Sequence, residues 1–389
     1  MGKLKAIGAF LRARIGWHAV GVVASLVIIG IAAVVLYEML RNIRPHEVFA
    51  ALTAKDPWRI ALAAGFVACA YFTLTFYDWF ALRTIGRPAV PYRTAALASF
   101  TSYSIGHNVG FSAFTGGTVR YRIYSAHGLG AIDVAKLCFV TGLTFWLGNM
   151  AVLGLGVTIE PWAASAVDQL PPWVNRLIGI GLLASLAAYV IWVGLRPRRI
   201  GVGAGNWTVT LPGARLTALQ VLIGIVDLAF CAAAMYVLMP AQPYIDPIAL
   251  GVVFISATLL GFASHAPGGL GVFDAAMLVA LPQFETEALL GSLLLLRLLY
   301  YVVPFALALV TLGVRELLVS RAARRMDMAA LGQSAALSPT AAAPAAAAPA
   351  PERPAPTRLP LAGEAAREAA KEVAKPAKHP AGEAHGATP

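Results

Sequence analysis

The sequence predicts an all-α polytopic membrane protein with about six full spans, two re-entrant broken-helix segments and an inverted repeat. Three observations carry this prediction. Hydrophobic residues make up 59% of the 389 and charged residues only 13%, and the mean hydropathy of +0.71 lies far outside the soluble range. Apolar runs of the roughly 20 residues needed to cross a bilayer recur along the chain. Two further apolar stretches break on polar residues and adjacent glycines, "SYSIGHNVGFSAFTGGTVRYR" and "GFASHAPGGLGVFDAAM".

Taken in order, residues 1–16 form a basic N-terminus, followed by an uncharged run from Ala19 to Tyr37. That run is longer than a signal-peptide core and has no A-x-A site before Glu38, so it is expected to stay as an anchor helix. Full spans are expected at 17–40, 58–82, 131–159, 174–195, 214–239 and 287–314, with re-entrant segments at about 94–127 and 248–281. Together these make a membrane domain over 17–320. Residues 321–389 turn to Ala/Pro-rich sequence such as "SPTAAAPAAAAPAPERPAP", which cannot bury a core and is expected to be a disordered cytoplasmic tail.

Loop charge favours re-entry over a single crossing for the two broken stretches. If each folds back, the N-terminus, Arg83, Arg87, Arg93, the Arg120/Arg122 region, "RPRR" at 196–199 and "RELLVSRAARR" share one side. The opposite side then holds "EPWAASAVDQLPPW", "PAQPYID" and the 281–287 turn, which carry no Lys or Arg. The positive-inside rule makes the basic side cytoplasmic, with both termini there. The connection bearing Arg41, Arg44, Lys55 and Arg59 fits neither arrangement well. A shift of 152 residues lays Gly116-Gly117 on Gly268-Gly269 and the span 131–159 on 287–314, so the chain reads as a duplication whose copies enter from opposite faces.

The net charge of +11 sits in loops and termini, a pattern that sets topology and gives no indication of nucleic acid as a partner. Cys69, Cys138 and Cys231 are odd in number and lie in apolar runs, so neither a disulfide framework nor a metal site is indicated. No P-loop, Ser-His-Asp arrangement or other cofactor motif stands out.

Breaking a helix in lipid leaves backbone groups unpaired at several kcal/mol each unless protein or a wet cavity satisfies them. Glycines at such a break let a ligand approach the backbone, and a half-helix start favours an anion. Gly116, Gly117, Gly268 and Gly269 are therefore candidate lipid headgroup-binding positions, the alternative being close helix packing. Arg120 and Arg122 follow the first pair and suit a lipid phosphate, or else simple positive-inside anchoring. Asp227, Asp274 and Arg297 are ionisable residues within membrane segments, where charge is costly and functional. Asp274 and Arg297 are read as a charge pair that gates or braces the second break. Asp227 has Arg297 or Lys136 as candidate partners. His107 and His265 each precede a break.

"FTGGTVRYRIYSAHGLG", together with "HAPGGLGVFDAAM" followed by "LLLLRLLYYVVP", resembles the two signature regions of the lysylphosphatidylglycerol synthase transmembrane-region family. This is the flippase-like membrane domain of the multiple peptide resistance factor, also found in stand-alone form. The resemblance covers about residues 15 to 320. The family often has Glu where this chain has Asp274, and a more acidic or polar residue than Thr118 after the first glycine pair. The resemblance implies a bacterial inner-membrane protein that moves an anionic or aminoacylated phospholipid, such as lysylphosphatidylglycerol, between leaflets. Gly116, Gly117, Arg120, Gly268, Gly269, Asp274 and Arg297 match its motif positions.

Relatives with synthase activity add a soluble aminoacyl-transfer domain where this chain has the Ala/Pro tail, so lysyl transfer by this chain alone is not expected. Membrane phospholipid is the expected partner, with a separate lipid synthase and a second copy of the chain as further candidates. Two other classes remain open: a membrane-embedded lipid-modifying enzyme, and a scaffold for a separate synthase that works through its tail.

Overall fold

The computed structural model describes residues 50, 53, 55–110, 112–196, 199–201, 208–264 and 267–337. The basic N-terminus, the predicted span 17–40, His265 and the tail beyond residue 337 lie outside the described residues. Two compact units divide the chain, Met1–Asp327 and Met328–Pro389, and the architecture below is that of the first.

Five stretches among the described residues are long and apolar enough to cross a membrane, and they match the five predicted spans that fall within them. The first is α1 (Pro57–Thr84), opened by Pro57 and capped by Asp56, whose carboxylate accepts the Trp58 N–H at 3.0 Å. A helical pair follows, α2 (Tyr92–Val109) and α3 (Ser112–Tyr124), the latter running into a 3₁₀ turn at Ser125–His127. Next come α4 (Ala131–Ile159), the short α5 (Pro161–Asp168) and α6 (Pro172–Leu195). A two-stranded antiparallel ribbon, Arg199–Gly201 with Thr208–Thr210, then leads to α7 (Ala214–Leu238). This ribbon has no counterpart in the predicted all-helical pattern, and it tucks Val209 into the core.

A second pair, α8 (Pro247–Ala263) and α9 (Val272–Ala280), is joined by the turn Pro267–Gly269. The fifth crossing starts with α10 (Thr286–Leu296), passes through a π-helical segment at Arg297–Val302, and continues as α11 (Val303–Leu337).

Both helical pairs are antiparallel hairpins. In the first, Thr94 meets His127 at 3.3 Å near the open end, and Gly116 lies against the Ser102 carbonyl further in. In the second, the Phe254 and Phe273 rings meet at 5.8 Å and Gly261 lies against Gly269. Each hairpin therefore starts and finishes at one end of the bundle.

The two hairpins enter from opposite ends. α1 and α7 are antiparallel, because Arg59 at the start of α1 donates to the Met239 carbonyl just past α7, while Tyr77 reaches back to Asp227. The first hairpin follows the C-terminus of α1 and the second follows the C-terminus of α7, so their turns approach each other inside the molecule. There the His107 ring on α2 lies 5.8 Å from the Phe262 ring on α8.

Two details of the sequence reading are corrected. The first break lies at Gly110 (φ 82°) and not at Gly116-Gly117, which sit inside α3. The second break does lie at its glycine pair, where Gly268 and Gly269 have φ of 59° and 62°. The two hairpins, and the helices that follow them, start 155 residues apart (Tyr92 and Pro247, Ala131 and Thr286), against the shift of 152 read from the sequence. At 152 the shift aligns two glycine pairs that do different jobs.

Helix packing follows membrane rules, in which small residues let backbones approach. α4 and α7 cross so closely at Gly148 and Gly224 that a Cβ on Gly148 would stand 2.6 Å from the Gly224 Cα. Buried apolar residues gather in two main clusters. One is built around Tyr77, Met235, Leu250 and Met277, and the other around Ile105, Tyr124, Leu137 and Phe305.

Candidate functional site

Charge is handled differently at each hairpin. On α3, one turn beyond the glycine pair, Arg120 points into the protein and is 4% exposed. Its Nε donates to both carboxylate oxygens of Asp78 on α1, at 3.1 and 3.0 Å, and its Nη2 donates to Oδ1 at 2.7 Å. The Tyr124 hydroxyl donates to Asp78 Oδ2 at 2.8 Å, and the Arg120 guanidinium lies 4.7 Å from the Tyr103 ring centre. This is a fully buried, fork-shaped ion pair of the strong charge-assisted kind.

Gly116 makes the arrangement possible. A Cβ there would stand 3.2 Å from the Ser102 carbonyl oxygen and 3.3 Å from Arg120 Nη1. Gly117 faces Cys138 on α4. Gly116 therefore serves close packing, a Cβ on Gly117 would stand an ordinary 3.6 Å from the Cys138 sulfur, and neither glycine opens the backbone at a break. Arg122, two residues on, pairs with Glu316 of α11 at 2.6 Å and ties the hairpin's open end to the last helix.

At the second hairpin the predicted pair is present. Arg297 Nε and Nη2 donate to Asp274 Oδ1 and Oδ2 at 3.1 and 2.5 Å, and Nη1 donates to the Gly268 carbonyl at 3.3 Å. Asp274 also accepts the Gly271 N–H at 3.1 Å. The anion at the start of α9 is thus the chain's own carboxylate, with the electrostatics predicted for a bound phosphate. Arg297 opens the π-helical segment, a distortion that recurs at functional sites.

Asp227 pairs with neither Arg297 nor Lys136. It lies mid-way along α7, 4% exposed, and its Oδ2 accepts the Tyr77 hydroxyl at 3.1 Å. Its Oδ1 has no hydrogen-bond partner among the described residues. The Tyr77 ring lies 6.0 Å from Tyr103, Tyr103 lies 5.5 Å from His107, and His107 stacks on Tyr300 of the π segment at 6.3 Å. Asn108 donates to the Tyr301 carbonyl at 3.3 Å. A connected polar and aromatic cluster therefore fills the space where the hairpin turns meet. It includes buried polar atoms without partners: Ser104 Oγ, His107 Nδ1, Asn108 Oδ1 and Asp227 Oδ1.

The structure thus brings Asp274 and Arg297 together, separates them from Asp227, and places Gly116, Gly117, Arg120 and Arg122 on one hairpin arm, with Arg120 turned to Asp78 and Arg122 to Glu316 on different faces of the helix. Sequence reasoning missed Asp78, Tyr77, Tyr124 and Glu316. Asp78 was open to the test applied to Asp227, since it is an acid inside a predicted span. No group of His, Cys, Asp and Glu able to hold a metal ion is found among the described residues, and Cys69, Cys138 and Cys231 are free thiols.

Apolar helices long enough to span a membrane, gathered around two opposed hairpins that each carry an ion pair, define an all-α multi-pass membrane protein. No family model matches the chain. It is 31% identical over 271 residues to the uncharacterized protein slr0712 of Synechocystis, across 69% of this chain and 82% of that protein. It is 30% identical over 266 residues to the inner membrane protein YbhN of Escherichia coli, across 66% of this chain and 80% of that one. The chain belongs to the family of these two proteins. It is also 30% identical over 209 residues to a phosphatidylglycerol lysyltransferase of Staphylococcus aureus, across 52% of this chain and 23% of that enzyme.

Proposed function

We propose that the protein is a lipid translocase of the bacterial inner membrane that carries an anionic or aminoacylated phospholipid, of the phosphatidylglycerol type, between leaflets. The observation that carries this reading is the buried polar cluster where the two hairpin turns meet. Polar atoms without partners at membrane depth are expensive, and a path for a headgroup is one arrangement in which they find partners. The lipid class comes from the relative named as a phosphatidylglycerol lysyltransferase. The shared part is 23% of that enzyme, and in this reading the shared task is membrane handling of the lipid.

In this reading the hairpins descend from a duplicated, inverted unit and alternate in opening toward the two leaflets. Arg120 and Arg297 take the phosphate by exchanging Asp78 and Asp274 for it, with Gly268 and Gly269 letting it approach the backbone. Arg122 gathers lipid at the cytoplasmic mouth, beside Gly116 and Gly117 on the same arm. The basic end and both termini face the cytoplasm. Movement is passive or coupled to an ion.

The test is leaflet exchange of labelled phosphatidylglycerol and its lysyl derivative in liposomes containing the purified protein. The control is Asp78→Asn with Arg120→Gln, which removes both charges together and spares the fold an unpaired ion. Protein-dependent movement that is lost in a folded control is the expected result. Failure of the folded wild-type protein to move either lipid would sink the reading.

A further inference from the structure

Two buried aspartates on facing helices have opposite surroundings. Asp78, 0% exposed, receives three guanidinium N–H contacts from Arg120 and one hydroxyl from Tyr124, so every demand of an ionised carboxylate is met. Asp227, 4% exposed, receives one neutral hydroxyl on Oδ2 and nothing on Oδ1.

Among the described residues, the titratable groups around Asp227 are Tyr71 and Tyr77 from α1, Tyr103 from α2, Tyr300 from the π segment and Cys231 on its own helix. None of these supplies a positive charge. Arg297 is committed to Asp274 and Gly268, and Arg120 to Asp78. A carboxylate left ionised and without a cation at this depth is far more costly than a neutral acid. Neighbouring acids whose environments diverge in this way commonly split into a fixed charge and a proton carrier.

We propose that Asp227 is a proton-binding site, occupied as the neutral acid in the conformation described, with Tyr77 donating to its carbonyl oxygen. The proton resides on Oδ1 and leaves to water when the hairpin turns separate. Tyr77, Tyr103, His107 and Tyr300 link the site to the turn of the first hairpin and to the π segment, so its charge state biases their contact. The assignment is independent of which molecule the protein moves.

The test is infrared difference spectroscopy of the full chain in lipid nanodiscs at neutral pH, read at the carbonyl stretch of a protonated carboxyl. The expected result is a band shifted by deuterium exchange, absent in Asp227→Asn and displaced in Tyr77→Phe, which loses the hydroxyl that donates to Oδ2. Tyr77→Phe also gives the answer should Asp227→Asn fail to fold. A band missing from the wild type, or unmoved by both substitutions, overturns the assignment. So does a band abolished by sodium at constant pH, which would give the site to an alkali cation. Lipid movement assayed on the same preparation keeps the two readings apart: the band without lipid movement removes translocation and leaves the proton site standing.

Discussion

Arg120 reads as a lipid-binding arginine in the sequence, and the fold gives it an intramolecular partner first. Removing one member of a buried pair leaves the other charge uncompensated, at a typical cost of about 3–5 kcal/mol. Arg120→Ala should therefore lower thermal stability in detergent far more than Asp78→Asn combined with Arg120→Gln. Equal losses would show that the pair's charge is solvated. Only one side of this pair was legible in the sequence. Asp78 and Arg120 are separated by 42 positions, and periodicity within an element says nothing about which elements face each other. Asp274 and Arg297 were legible together because each stood alone in an otherwise uncharged stretch of the same predicted unit.

At the scale of elements, two identical glycine pairs show why local composition does not fix local structure. Pro267 and Gly271 flank the second pair and stop the helix, so Gly268 and Gly269 take left-handed backbone angles. No such residue adjoins the first pair, and α3 runs through it. The roughly 0.5–1 kcal/mol cost of a mid-helix glycine is offset there by closer hairpin arms. Alanine should separate these roles. Gly269→Ala forces a side chain into left-handed backbone, costing about 1–2 kcal/mol. Gly224→Ala drives its Cβ to 2.6 Å from the Gly148 Cα and should cost about 1–3 kcal/mol by overpacking. Gly142→Ala, a helical position with open space around it, should be neutral or stabilising. Midpoints of thermal unfolding in one detergent would rank the three, and a Gly142→Ala loss equal to the others would overturn the assignment. Spans were legible from apolar length alone. The turn at Gly110 was not, because a single glycine among polar residues gives a weaker signal than a pair.

Across the whole molecule, the two ends of the bundle differ in chemistry. The end holding the α1 C-terminus and α4 N-terminus carries Arg83, Arg87, Arg93, Arg122, Lys136, Arg196, Arg199 and Arg215. The opposite end carries Asp56, Glu160, Asp168, Asp246, Glu285 and Glu287 against Lys55, Arg59 and Arg176, with exposed Trp58, Trp162, Trp173 and Tyr244 forming the aromatic fringe expected at a membrane–water boundary. This asymmetry sets up a test of both orientation and re-entry in a background lacking Cys69, Cys138 and Cys231. Ala89→Cys lies before the first hairpin and Ala126→Cys after it, both exposed, while Leu170→Cys sits at the other end. A membrane-impermeant maleimide should label Leu170→Cys in intact inverted-free spheroplasts, and should label Ala89→Cys and Ala126→Cys only after permeabilisation. Opposite accessibility of the last two would mean that α2 and α3 together cross the membrane once, and the hairpin would not be re-entrant. The same accessibility for both, but from outside, would keep the hairpin and invert the molecule, sending Arg120 to the outer leaflet and reversing the direction of the proposed headgroup path past the two ion pairs.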